Sequence, residues 1–289
     1  MTSFQMKITG FFVPILRGFL ALPICFIPVA KAEQSFVYLD YLVEWNAIDL
    51  GHSTASWVFD RDSYQLISDA QTQGAGAFFF TYYGESELSG QILREPNDAL
   101  LYAPQELRTF SKSKKEEWNA LTSWPTANLS DAQTATPTTK RTPELDLEEV
   151  FPLDTATLPG SRDPFSIMLN ALAQIARTQS CVGTYKSYDG RRRTDFQLYD
   201  LGQTELVADR PTGYSGPALI CGMVGKPIGG HSLDSDWDDE DIKPDRIRFY
   251  IAEMRGTPAD GLTHIPVRIE IDGFLGDVIV RLNLATSQL

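Results

Sequence analysis

The chain has 289 residues, 43% of them hydrophobic, with 38 acidic against 25 basic side chains and a formal net charge of −13 at pH 7. That apolar content can bury a sizeable core, as one large domain or two small ones. The acidity argues against general binding of nucleic acid or of anionic lipid surfaces, both of which would repel it.

The first 32 residues read as a secretory leader. Lys7 and Arg17 supply positive charge, Phe19 to Val29 is an apolar run broken by prolines, and Ala30-Lys31-Ala32 places small residues at a cleavage site. Cleavage after Ala32 leaves 33–289 as a single β-rich domain. The competing reading, an uncleaved anchor, meets Arg17 and two prolines within a run that would need about 20 apolar residues to span a bilayer. No transmembrane segment is therefore expected after processing. A lipoprotein reading is weaker, because bulky Ile24 precedes Cys25. Removing Lys7, Arg17 and Lys31, with no acid lost, deepens the charge from −13 to −16.

From Phe36 to Asp60 the pattern alternates and is rich in aromatic and β-branched residues, with a break expected at Asp49–His52 and a turn at Asp60-Arg61-Asp62. Tyr64 to Ile67 resumes the meander, and Gly74-Ala75-Gly76 ends it. Phe78 to Tyr83, the densest aromatic run, is read either as a buried strand or as a short helix. Ser86 to Arg94 is a strand. Leu107–Lys112 and Glu117–Trp124 form a hairpin in which Trp118, Ala120, Thr122 and Trp124 share one face.

Residues 125–162 lose apolar periodicity and are read as a mobile linker or long loop dividing two unequal β-rich halves. Asp163-Pro164 then opens the one clear helix. Asp163 caps, Pro164 suits the first helical position, and Phe165, Met168, Leu169, Leu172, Ile175 and Ala176 fall at helical spacing. Strands return at Val182–Tyr188 and Arg192–Tyr199, joined by Asp189-Gly190. Further strands are predicted at Glu205–Ala208, Ala218–Val224, Ile247–Ala252, Pro266–Ile271 and Val278–Leu284.

Two cysteines, Cys181 and Cys221, survive leader removal, and in an oxidising compartment such a pair bonds. No Cys-x-x-Cys spacing supports a redox-active role. His52, His231 and His264 are the only histidines and have no metal-ligand spacing. No Walker loop, His-Glu-x-x-His or Gly-x-Ser-x-Gly elbow occurs, so no catalytic residue, cofactor or firm metal site is assigned. Asp234, Asp236 and Asp238 have the 1-3-5 spacing of a calcium loop. Asp239 stands where such a loop needs glycine, which makes a solvated acidic loop the better reading. Arg191 and Arg193 fall on one side of a strand, and with Trp118 and Trp124 they are candidate contacts for a ligand or anion. Pairing of the arginines with the abundant carboxylates is the simpler alternative.

A series of motifs carries a resemblance. Asp163-Pro164-Phe165-Ser166 is followed by Cys181, Tyr188-Asp189-Gly190-Arg191-Arg192-Arg193, Gly216-Pro217-Ala218-Leu219-Ile220-Cys221, Lys226-Pro227-Ile228-Gly229-Gly230 and Pro266-Val267-Arg268-Ile269. In that order it resembles the exported proteobacterial proteins of domain-of-unknown-function family 3108. Gly51, Tyr64 and Gly74 match the N-terminal pattern of that family more weakly. Ser187-Tyr188 departs from it where an apolar residue and a phenylalanine are usual. The resemblance implies a periplasmic protein of no established activity, with a curved sheet similar to that of periplasmic lipoprotein carriers.

Together these readings predict a mainly β (α+β) fold, a curved antiparallel sheet or open half-barrel with one prominent helix. The expected function is that of a periplasmic, envelope-associated binding or carrier protein. Its apolar concave face, rich in Trp45, Trp57, Phe78, Tyr82, Trp118 and Trp124, would hold a lipid-like ligand or an envelope protein segment. The alternatives are an envelope-polymer hydrolase using paired carboxylates, such as Asp195 or Asp238, and a structural or assembly protein with no ligand.

Overall fold

Alternating sequence gives strands, and the order in which they pair decides where everything else sits. The computed structural model describes residues 34–79, 81–114, 116–144, 146–233, 243–254, 262–273 and 276–288. The expected leader, the stretch with Asp234, Asp236 and Asp238, and the Phe78 side chain lie outside what is described. The first half supplies β1 (Ser35–Trp45), β2 (Ile48–Phe59), β3 (Ser63–Thr72), β4 (Tyr82–Arg94), β5 (Leu100–Ser113), β6 (Glu117–Ser123) and β7 (Thr138–Thr142). The second half supplies β8 (Gly183–Tyr188), β9 (Arg193–Leu206), β10 (Gly216–Gly229), β11 (Ile247–Glu253), β12 (His264–Ile271) and β13 (Val278–Gln288). Three helices accompany them: α1 (Gly76–Phe79), α2 (Leu129–Thr134) and α3 (Pro164–Thr178).

The described strands form one 13-stranded antiparallel sheet in the order β7-β6-β5-β4-β3-β2-β1-β13-β12-β11-β10-β9-β8. The first half walks outward from β1 to one edge. The chain then crosses to the far edge and walks back to β13, which pairs with β1 from Phe36↔Gln288 to Trp45↔Val278. Laid flat at about 4.8 Å per strand, the two edges would lie roughly 58 Å apart. Instead Thr139 Oγ1 on β7 donates to Tyr188 OH on β8 at 3.3 Å, so the sheet is curled nearly onto itself.

The edges do not pair with each other. The crossing segment seals the gap: Arg162 N–H donates to Lys186 O (2.9 Å) and Tyr188 N–H donates to Arg162 O (2.8 Å). On the other side Trp124 Nε1–H donates to Ser161 O (2.9 Å), and Gly160 N–H donates to Ala135 O (3.0 Å). The stretch expected as a linker or long loop thus carries α2, β7 and a short 3-10 turn at Thr155–Thr157, and it supplies this seam.

Two sequence expectations shift. The expected break at Asp49–His52 lies instead at Asn46–Ala47, both left-handed (φ 47° and 64°), as a two-residue hairpin turn requires. Gly51 is an interior residue of β2, where a Cβ would meet Gln71 O at 2.4 Å; the glycine marks close approach, not a turn. The aromatic run resolves as both readings in succession, with α1 ending at Phe79 and β4 starting at Tyr82.

The core lies inside the curl. Val37, Leu39, Trp57, Phe59, Tyr64, Leu66, Leu88, Tyr102 and Leu107 from the first half join Leu219, Ile251, Ile265, Val267 and Leu282 from the second around Leu169, Leu172 and Ile175 of α3. Tyr64 and Tyr102 meet edge-on at 5.5 Å, and Trp57 stacks on Phe59 at 6.0 Å. The disulfide Cys181–Cys221 joins the start of the second meander to β10 with Cα atoms 5.3 Å apart.

Candidate functional site

The concave face is apolar, as predicted, and α3 lies in it. Asp163 caps the helix by accepting from the N–H groups of Phe165 and Ser166, each at 2.9 Å. Ser166 Oγ also donates to the Asp163 carboxylate and lies 2.6 Å from Tyr64 OH. One turn on, Asn170 Oδ1 accepts from Tyr102 N–H (2.9 Å), while its Nδ2–H donates to Tyr102 O (2.8 Å). β6 pairs with β5 only as far as Glu106, so Asn170 stands in for the missing strand partner at Tyr102. The apolar stripe predicted from spacing is therefore interrupted on its buried side by Ser166 and Asn170, which bolt the helix to the sheet.

Three of the six aromatics expected on the concave face, Trp57, Trp118 and Trp124, are fixed by contacts within the protein. Trp57 is fully buried, Trp124 is 4% exposed and bonded to Ser161, and Arg141 lies over the Trp118 ring at 4.2 Å. Arg193, only 2% exposed, donates through Nη2 to Asp195 Oδ1 (2.7 Å) and through Nε to Thr157 O (3.1 Å). Arg191 is held at the hairpin, its N–H donating to Asp189 Oδ1 (2.9 Å). Trp124 and Arg193 are thus tied to the segment between β7 and β8, Trp118 to Arg141 of β7, and Arg191 to its own hairpin, with no common hollow. None is among the residues lining the cavity described next.

A hollow remains at one flank of α3. A cavity of about 480 Å³ opens between α3, the β4–β5 turn and the start of β12. Leu100, Leu169, Leu172, Ala173, Ala176 and Leu262 form its apolar wall, and Arg94, Glu95, Asp98, Arg162, Gln174, Arg177, Tyr185 and His264 its polar one. His264 also walls a neighbouring cavity of about 180 Å³ against β10 and β11, so the two hollows meet at one imidazole. Burial holds the His264 pKa below its usual value, which keeps the ring neutral near pH 7. Burial raises the Tyr185 phenol while Arg162 opposes that rise.

Arg162 is the unusual member. Its Nη2–H reaches Ala132 O at 3.4 Å, its Nε is buried with no partner, and no carboxylate of the described residues lies at ion-pairing distance. Burial lowers its pKa, with Glu95 and Asp163 pulling the other way. Several other arginines are ion-paired: Arg248 with Glu270 and Asp272, Arg268 with Glu270, and Arg281 and Arg210 with the 2%-exposed Glu44, whereas Arg141, whose buried Nε also lacks a partner, lies over Trp118. Sequence reading missed Arg162, because its setting depends on the pairing of its backbone with β8.

Among the described residues no group of three or more His, Cys, Asp or Glu side chains is placed to hold a metal. Nor is any helix there long and apolar enough to cross a membrane. The fold and this site define a mainly β protein, an unclosed curved antiparallel sheet wrapped around one helix. No family model matches the chain, and no curated protein matches it. Among solved structures it is similar to the β-barrel-like protein of domain of unknown function DUF1849 from Brucella abortus. The TM-score is 0.48 at 11% identity, covering 89% of this chain and 99% of that one.

Proposed function

We propose that this is an exported, periplasmic protein of the cell envelope that binds a lipid-like ligand or a protein segment and performs no chemistry on it. In this reading the leader is removed after Ala32, 33–289 is the single mature domain, and the motif series is what supports kinship with family 3108. The observation that carries the binding function is the cavity of about 480 Å³ on the flank of α3. Its size falls within the range of small-molecule sites, and it combines an apolar wall with a few convergent polar groups. With α3 filling the concave face, the ligand sits beside the helix and not in a hollow barrel.

Native mass spectrometry of protein gently extracted from the periplasm tests this. A mass adduct, or uptake of a fluorescent fatty acid by the purified chain, is expected. A clean apo mass together with no uptake refutes binding. N-terminal sequencing of the same material checks the cleavage, which predicts Glu33 as the first residue.

A further inference from the structure

In a chain with 38 acids and 25 bases, a half-buried guanidinium without a carboxylate partner runs against the odds. A buried donor left unmatched is costly, and such groups are ordinarily satisfied by protein, water or ligand. Arg162 is such a group. It forms part of the wall of the α3 cavity, its Nε has no partner, and its one hydrogen bond runs 3.4 Å to a neutral carbonyl. Its backbone N–H and C=O are both held by β8, which fixes where the side chain starts. Arg177, exposed on α3, adds positive charge to the lining, which also holds Glu95 and Asp98; Glu95 is close enough to Arg162 to favour its charged form. The apolar wall, Leu169, Leu172 and Leu262, is buried and continuous with the core.

We propose that this cavity takes an anionic amphiphile, its carboxylate or phosphate held by the Arg162 guanidinium and its apolar chain laid along Leu169, Leu172 and Leu262. The proposal rests on the binding function above and adds the charge and shape of the ligand. A planar guanidinium offers paired N–H donors that match two oxygens of a carboxylate or phosphate, which a neutral or cationic headgroup lacks. An acidic protein would otherwise repel anions, so such selectivity needs a local, buried source of positive charge.

Isothermal titration calorimetry of the mature chain with dodecyl phosphate, dodecanoate, dodecyl maltoside, dodecyltrimethylammonium and inorganic phosphate, all below micelle formation, is the test. One equivalent of dodecyl phosphate or dodecanoate is expected to bind at least about tenfold more tightly than the neutral or cationic homologue. Arg162→Gln is expected to erase that preference, bringing dodecyl phosphate and dodecanoate to within about twofold of the maltoside. Should that variant fail to fold, Arg162→Lys keeps the charge but loses the fork and is expected to show a reduced preference, while Ala176→Trp, which fills the cavity, blocks every dodecyl ligand. Equal binding of all headgroups, or an unchanged preference in a folded Arg162 variant, overturns the role of Arg162 but leaves the binding function standing. Inorganic phosphate binding as tightly as dodecyl phosphate overturns the amphiphile. No binding by any dodecyl compound overturns the binding function itself.

Discussion

Asp163 gives the sharpest test of how the helix is held. Its carboxyl is fully buried, and burial raises its pKa from the ordinary 3.8 to about 6, with the hydrogen bonds from Ser166 and Phe165 opposing the rise. Between those two values the folded protein keeps a proton that the unfolded chain has released. The stability this group contributes is therefore greatest below pH 3.8, falls as pH rises to about 6, and is flat above. The gap corresponds to about 3 kcal/mol at 1.36 kcal/mol per unit. Asp163→Asn keeps an oxygen to accept the Phe165 and Ser166 N–H groups and carries no charge. It should match or exceed the wild type in stability at pH 8, and the wild type should gain on it by up to about 3 kcal/mol as pH falls to 4. Asp163→Ala removes the acceptor, leaving two N–H groups unmatched and the Ser166 hydroxyl with Tyr64 alone, and should be less stable than Asp163→Asn by about 2–4 kcal/mol at every pH. Urea unfolding from pH 4 to 8 reads all three, and titrations of the other acids cancel in the differences. If the wild type loses stability relative to Asp163→Asn on acidification, the carboxylate is stabilised as an ion in the fold and the reasoning is wrong.

Three further perturbations probe other parts. Replacing Cys181 and Cys221 together by alanine opens a link between residues 40 apart and should cost about 3–4 kcal/mol in urea unfolding; no change between oxidised and reduced wild type would contradict this. Arg193→Met leaves Asp195 and Thr157 O without their buried donor. Discounted because Asp195 is 36% exposed and rehydrates, the loss should be about 2–3 kcal/mol at neutral pH by thermal or chemical melting. Gly190→Ala forces a side chain onto a residue with φ of 95° and sets its Cβ 2.7 Å from Thr122 Oγ1, so a loss of about 1–3 kcal/mol is expected. Hydrogen exchange should speed up first at β8 and at residues 161–163; exchange unchanged there despite a lowered melting point would show that the turn does not support the seam.

Period-two alternation made most strands legible, and the Asp163-Pro164 start of α3 could be read directly because cap and first-turn proline are local signals. β7 was not legible. Thr138-Thr139-Lys140-Arg141-Thr142 carries no apolar residue, as befits a short edge strand held by backbone pairing with β6. The pairing of β1 with β13 joins the two ends of the domain, and no local pattern announces it. For Arg193 the simpler of the two sequence readings, pairing with a carboxylate, is the one observed: Asp195, two residues on, shares its side of the strand. Ser166 and Asn170 broke the apolar stripe of α3 for a reason only the tertiary structure supplies, since each serves a backbone or phenol group of the facing strands.

Three consecutive residues connect the fold to the candidate site. Ser161 accepts from Trp124 of the first meander, Arg162 pairs through its backbone with β8 of the second, and Asp163 starts the helix that fills the curl between them. Ser161 and Asp163 are buried, and Arg162 between them is half-buried in the lining of the cavity. Its position at the cavity wall is thus set by the residues that seal the sheet and not by contacts of its own guanidinium. A sheet closed by direct β7–β8 pairing would have no place for this segment and no unmatched arginine beside the helix. Leaving the sheet unclosed is what allows a strand-like connection to present a charged side chain next to apolar core, which is the combination an amphiphile requires.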